Sequence, residues 1–309
     1  MFITIAIFAA ALTTLLVSAN FFTNSAEKLG KYLKLPQFIV GIFIIGIGTS
    51  LPELVTGILS VKSNVSEILP GNIIGANISN LLLVTGLVVV MGRKEIQLGS
   101  NYIYIDLHFL IGSVFVFYIE AYDGIINFQE AFMNIFIFIV YSIYLIKGAE
   151  TDSFRQDKSE EIKFPVKHMM ILLISSIGIF FGADYTIQSL EKIGVSLSIS
   201  NEIIALTVLS LGTTLPEIAV NISAVRQGKS EMAIGSILGS CIFNTLMVPS
   251  IGSMFGEITV PDKLISFSLP VMAASTMIFY LHKQDKKLSV WEGVLLILIY
   301  LLFVIKLAF

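Results

Sequence analysis

The sequence predicts an all-α, polytopic membrane protein whose ten transmembrane helices form two inverted five-helix repeats. Three observations carry that expectation: the composition, the spacing of the apolar runs and an internal duplication. Of 309 residues, 55% are hydrophobic and only 13% are charged, whereas a soluble domain carries about 25% charged residues. Apolar runs of about 20 residues can span a bilayer. Ten occur, near 2–22, 37–62, 68–92, 102–120, 128–147, 167–186, 201–226, 231–254, 264–281 and 290–308.

The first run lacks a basic leader and is too long for the apolar stretch of a signal peptide, so it reads as a span. Basic residues set the orientation. If ten helices alternate across the membrane, four Lys and Arg residues fall on the side of both termini and fifteen on the other. Cytoplasmic loops are enriched in Lys and Arg, which places both termini outside the cytoplasm of a cell-membrane protein. The lone Cys241 rules out an intramolecular disulfide. His108, His168 and His282 are scattered and offer no zinc or copper chemistry.

The duplication is explicit. GTSLPE from Gly48 returns as GTTLPE from Gly212, an offset of 164. At the same offset GNIIGANISN (Gly71 to Asn80) returns as GSILGSCIFN (Gly235 to Asn244), and AEKLG (Ala26 to Gly30) as LEKIG (Leu190 to Gly194). Residues 1–147 form the first repeat, with its motif at 46–80, and 167–309 the second, with its motif at 210–244. Each repeat holds five spans, an odd number, so the two must insert with opposite orientation, a pattern of secondary transporters. The mixed-charge stretch 148–166 reads as a solvated cytoplasmic linker.

Within the repeats, Pro52 and Pro216 each remove a backbone donor and clash with the carbonyl four residues back. Carbonyls released in hydrocarbon must meet protein, water or a cation. Thr49, Ser50, Thr213 and Thr214 add hydroxyl oxygens at the same breaks, and Glu53 and Glu217 follow directly. A charge at mid-membrane costs about 2.5–3.5 kcal/mol on insertion scales. No lysine or arginine lies within these spans except at their ends, Lys62 and Arg226, each nine residues from its glutamate, and a bound cation answers that cost. The glycine pairs Gly71/Gly75 and Gly235/Gly239 permit close helix approach. Turn-spaced stripes beside them read Asn72, Ala76, Asn80 and Ser236, Ser240, Asn244. Asn80 and Asn244, each 27 residues after its glutamate, offer amide oxygens. Such hard oxygen donors suit calcium, which takes six to eight flexibly placed oxygens. Two carboxylates neutralise one divalent ion, or two of the charges on several sodium ions.

These paired motifs resemble the alpha repeats of the calcium/cation antiporter superfamily, and its prokaryotic sodium/calcium exchanger branch in particular. The resemblance covers essentially the whole chain and implies a central site built from the second, third, seventh and eighth helices. It implies that Glu53 and Glu217 are shared calcium and sodium ligands and that Thr49 and Thr213 contribute oxygens to the calcium position. It further implies carbonyls from Gly46 and Ser210, a passage lined by Ser50 and Thr214, a sodium ligand at Ser240, and Asn80 and Asn244 on the inner wall. Helices 1 and 6 slide across the core in this family, an expectation that suits the small residues Ala9, Ala10, Ala11, Gly178 and Gly182.

One position departs from that pattern: Ala76 stands where the family commonly has serine, and a methyl cannot coordinate sodium. Exchange of Ca2+ for Na+ is therefore the expected activity, with a proton-coupled calcium exchanger as the alternative. A channel would need a continuous polar path, whereas the polar residues cluster at mid-depth. No nucleophile stands with a base, so no enzyme is expected. The expected partners are Ca2+, Na+ and the lipid bilayer, with no cofactor, no nucleic acid and no obligate protein partner. Asp106, Glu120, Asp123 and Glu130 read as solvated interfacial residues, and Trp291, Tyr102, Tyr104 and Tyr122 as interface anchors.

Overall fold

The computed structural model describes residues 2–92, 96–97, 102–153, 165–197, 214–281 and 287–308. Its helices follow the apolar runs: α1 (Phe2–Tyr32), α2 (Gln37–Lys62), α3 (Ile68–Gly92), α4 (Tyr102–Ala121), α5 (Phe128–Ser153), α6 (Val166–Ser196), α7 (Leu215–Arg226), α8 (Ser230–Ser253), α9 (Leu264–Leu281) and α10 (Val290–Ala308). The N-terminal part of the seventh span lies outside the described residues. Eight helices are long and apolar enough to cross a membrane among the described residues, and the protein is a multi-pass membrane protein.

α1 and α6 outrun their apolar cores by about ten residues. The reason is local: the AEKLG and LEKIG segments are built from good helix formers. α1 ends where Lys34 adopts φ +56°. α5 likewise runs six residues past its expected end, through GAETDS to Ser153.

Burial separates a core from a periphery. The apolar window of α8 is 94% buried within the protein and that of α3 83%, against 17% for α1 and 22% for α6. α1 and α6 pack chiefly on each other. An added Cβ at Gly182 would lie 2.8 Å from the Leu15 backbone nitrogen, so no side chain fits there, and Gly178 sits against Ser18. Ala11 is buried beside this seam, but Ala9 and Ala10 are exposed on α1, outside the seam the sequence suggested. Small residues admit a contact without creating one.

One polar bridge ties α1 to the α7–α8 connection. Lys229, almost fully buried, meets Glu27 at 2.8 Å and donates to Asn24 Oδ1 at 2.9 Å. Gln227 donates to Asn20 Oδ1 at 2.7 Å. At the membrane ends, short strands link connections distant in sequence: β1 (Ile96–Gln97) pairs antiparallel with β4 (Lys287–Leu288), and β2 (Ile125–Ile126) with β3 (Ile258–Thr259).

Two acidic residues overturn their expected solvation. Asp106 is fully buried and accepts a 2.6 Å hydrogen bond from Tyr141, while Glu120 is 7% exposed and accepts one from buried Asn134 at 3.0 Å. Partners on the neighbouring helix α5 draw both carboxylates inward, a pairing that helix ends alone do not reveal. Trp291 and Tyr122 are 84% and 73% exposed, while the side chains of Tyr102 and Tyr104 lie outside the described residues.

Candidate cation site

α2 is interrupted where the sequence places Pro52. A π-helical segment, Gly41–Gly46, leads into one last turn, Ile47–Thr49. Ser50 then leaves the helical region at φ −87°, ψ 1°, and the helix restarts at Leu51. Proline is accommodated in this restarted first turn because the amides there have no intrahelical acceptor. Thr214 plays the part of Ser50 before α7, with Pro216 and Glu217 in its first turn. Both glutamates therefore sit at helix N-termini, where the helix dipole favours a carboxylate.

Glu53 and Glu217 are 1% and 2% exposed. They lie within electrostatic reach of each other, with Thr49 beside Glu217. The Thr49 hydroxyl and the glutamates' own backbone amides stand nearby, yet among the described residues none of the four carboxylate oxygens makes a hydrogen bond of normal length and angle. The same holds for Ser50 Oγ, Asn80 Oδ1 and Asn244 Oδ1. Burying polar oxygens without a donor is costly, and Glu53 and Glu217 carry four such oxygens between them. No group of three or more His, Cys, Asp or Glu forms among the described residues. A cation at this place has two carboxylates and otherwise neutral oxygens, a donor set that fits calcium or sodium.

Gly46 joins the two motifs. Its carbonyl accepts from the Ser240 hydroxyl at 3.0 Å, and from Thr49 Oγ1 at 3.3 Å. The two hydroxyl oxygens are 3.4 Å apart. This closeness depends on glycine on both sides. A Cβ on Gly46 would stand 2.8 Å from the Ser236 carbonyl, and one on Gly239 would stand 2.6 Å from Ile42 Cα. Backbone meets backbone, so neither contact can yield. The first-copy pair behaves differently: a Cβ at Gly71 would meet only Leu264 at 3.7 Å, and at Gly75 nothing lies within 4 Å among the described residues.

Asn80 lies within a second π-helical segment, Ser79–Val84, whose wider turn is closed by Thr85 Oγ1 on the Asn80 carbonyl at 2.9 Å. Such segments recur at functional sites. The Cys241 thiol of α8 lies beside Asn80 and in reach of Glu217. A small cavity of about 30 Å³, lined by Thr49, Pro52, Pro216, Phe22, Ser176 and Phe180 among others, separates α1 and α6 from the two breaks.

Of the expected site residues, Gly46, Thr49, Ser50, Glu53, Asn80, Thr214, Glu217, Ser240 and Asn244 are buried. The hydrogen bonds join Gly46, Thr49 and Ser240, and Glu53 and Glu217 neighbour each other. Ser210 and Thr213 lie outside the described residues. The sequence stripe missed Asn77, a fully buried residue whose amide donates to the Cys241 carbonyl at 3.1 Å. Its signal was a polar residue in an apolar span, one step off the turn-spaced stripe. Phe22 and Phe180, which line the small cavity, had no signal, because each is one of several phenylalanines in the apolar stretches of α1 and α6.

Three comparisons bear on this geometry. The chain is similar to an uncharacterized membrane protein, MJ0091, of Methanocaldococcus jannaschii, 26% identical over 96% of this chain and 95% of the relative. It is also similar to the sodium/calcium exchanger MaX1 of Methanosarcina acetivorans, 25% identical over 96% of each chain. A solved structure of the sodium-calcium exchanger NCX_Mj, soaked with zero Na+ and Ca2+, superposes with a TM-score of 0.83 at 25% identity, covering 100% of this chain and 99% of that one. The model of the family described as sodium/calcium exchanger protein matches residues 3–147 and 167–309. With nearly its whole length matched, the chain belongs to the sodium/calcium exchanger protein family.

Proposed function

We propose that this chain is a secondary active antiporter that exchanges Ca2+ for Na+ through alternating access to a mid-membrane site centred on Glu53 and Glu217. The observation that carries the reading is the pair of buried carboxylates, whose four oxygens make no well-formed hydrogen bond among the described residues. Calcium gains about twice the Coulomb energy of sodium from each carboxylate, so one calcium or a set of sodium ions can satisfy the pair, but not both loads at once. Thr49, Ser240 and the Gly46 carbonyl supply neutral oxygens, since their hydroxyl protons can rotate away when a cation arrives. Ser50 and Thr214 line the approach, Asn80 and Asn244 stand on the wall, and by the repeat Ser210 and Thr213 mirror Gly46 and Thr49. The two repeats, 1–147 and 167–309, insert in opposite senses with 148–166 between them.

The pairing of connections supports an alternating ten-helix course. β1 and β4 join the α3–α4 and α9–α10 connections, and β2 and β3 join the α4–α5 and α8–α9 connections. Alternation puts each of those pairs at one end of the bundle and the two pairs at opposite ends. The fifteen-to-four distribution of basic residues supports both termini lying outside the cell and residues 148–166 in the cytoplasm.

Glu53→Gln and Glu217→Gln test the site, since each removes a charge at constant volume. Loss of calcium flux from a folded protein in both variants is the expected result, and flux at the unmodified level in either refutes the assignment. A proton-coupled exchanger is the second reading, favoured by Ala76, which is buried and offers no oxygen where Ser240 offers one in the other copy.

A further inference from the structure

We propose that Asn77 is a positioning residue that fixes which way the Asn244 amide faces, a role that rests on the site reading above. Asn77 and Cys241 are themselves equivalent positions in the repeat, 164 residues apart. Asn77 Nδ2 donates to the Cys241 carbonyl at 3.1 Å. A carbonyl can only accept, so the Asn77 amide has one orientation in which it does not set oxygen against oxygen. Its Oδ1 therefore turns toward α8, where Asn244 Nδ2 approaches at 3.5 Å. The Asn244 amide is thereby set with nitrogen toward Asn77. Its Oδ1 is left buried and without a donor among the described residues. A backbone carbonyl on α8 thus orients one amide on α3, which orients a second amide on α8, and the last oxygen in the series is presented to a cation. The Cys241 carbonyl is held in turn by Thr245 Oγ1 at 2.9 Å. Without Asn77, Asn244 can present either end of its amide, and an NH2 group repels a cation.

An aspartate at 244 has two oxygens and needs no orienting, which separates positioning from packing. Calcium binding is read from the calcium-dependent rise in unfolding temperature of the purified full chain, for the unmodified protein, Asn77→Ala, Asn244→Asp and the double variant. The expected result is a 2- to 10-fold weaker apparent calcium affinity in Asn77→Ala, roughly the worth of one hydrogen bond, and under about 2-fold change when Asn77→Ala is added to Asn244→Asp. Equal losses in both backgrounds, or none in either, would overturn the proposal. So would an Asn244→Asp chain that no longer binds calcium. Asn77→Ser, which also lacks the amide, stands in if Asn77→Ala does not fold; failure of both to fold makes the residue structural and ends the proposal. An unmodified chain with no calcium response refutes the site reading itself, whereas a responsive chain with equal losses refutes only the positioning role.

Discussion

Ser240 on α8 and Ala76 on α3 stand 164 residues apart at equivalent places in the repeat, yet their surroundings differ. Ser240 is bonded to the Gly46 carbonyl, and the glycines beside it are pressed against the backbone of α2. Ala76 is buried but has no polar atom to offer, and its neighbours Gly71 and Gly75 meet nothing closer than 3.7 Å among the described residues. A second difference lies at the bundle end. Asn20, Asn24 and Glu27 of α1 are bridged to Gln227 and Lys229. The equivalents of those five are Asp184, Gln188 and Glu191 of α6, and Ser63 and Val65. Gln188 donates instead to Asp184 on its own helix at 2.9 Å. The duplication has kept the proline breaks and the glutamates in both copies, while neutral ligands and inter-helix ties have diverged. On the proposed reading, what must be symmetric is the charge facing the cation; what need not be is the set of weaker oxygens around it.

The largest expected effect tests whether the shared part is truly equivalent. At an effective dielectric of 20, two unit charges 4 Å apart interact by about 4 kcal/mol, and a divalent ion doubles that. Glu53→Gln and Glu217→Gln are each predicted to weaken calcium binding by at least about 100-fold, measured by calorimetric titration of the purified protein. A large loss in one and a small loss in the other would break the equivalence of the copies.

Gly239→Ala comes next. Its methyl would lie 2.6 Å from Ile42 Cα, and overpacking of this kind costs about 3 kcal/mol. Thermal unfolding in detergent should show a clear fall in midpoint, and an unchanged midpoint would mean that α2 can slide away from α8. Lys229→Met removes the cation that holds Glu27 and Asn24 together. A loss of about 2 kcal/mol is expected, the worth of a charged hydrogen bond, with Glu191→Gln on α6 as the silent counterpart. Equal effects of the two substitutions would remove the second asymmetry.

The smallest effect concerns Ala76→Ser, which restores the missing hydroxyl. Sodium, with one charge, depends more on neutral oxygens than calcium does, so half-saturation by sodium should fall by about 3-fold, the scale of one polar contact, with calcium nearly unchanged. Superimposable sodium curves of calcium flux for both proteins would show that position 76 faces away from the site.

Much of this was legible in the sequence because its physics is local. Proline breaks a helix wherever it stands, and hydrogen bonds join Gly46, Thr49 and Ser240, three residues that the family resemblance placed in one site. Asn77 was not legible, since its role depends on a carbonyl in another helix. The burial of Asp106 and Glu120 depends likewise on Tyr141 and Asn134 across the α4–α5 interface. Lys229 entered the sequence reading only as one of the fifteen basic residues on one side of the membrane, and only the nearness of Asn24 and Glu27 on α1 makes it a bridge. Ser240, whose partner Gly46 lies on another helix, was legible only because both belong to duplicated motifs; Asn77, Asp106, Glu120 and Lys229 had no such aid.

The central claim is tested most directly by radioactive calcium uptake into proteoliposomes of the purified protein, loaded with sodium and diluted into sodium-free medium, with the pH equal on both sides. Uptake driven by the outward sodium gradient is expected, collapsing when sodium is equalised and absent from Glu53→Gln and Glu217→Gln vesicles. Uptake that ignores the sodium gradient but follows an imposed pH gradient would contradict sodium coupling, and uptake that persists in both glutamine variants would contradict the two-glutamate site.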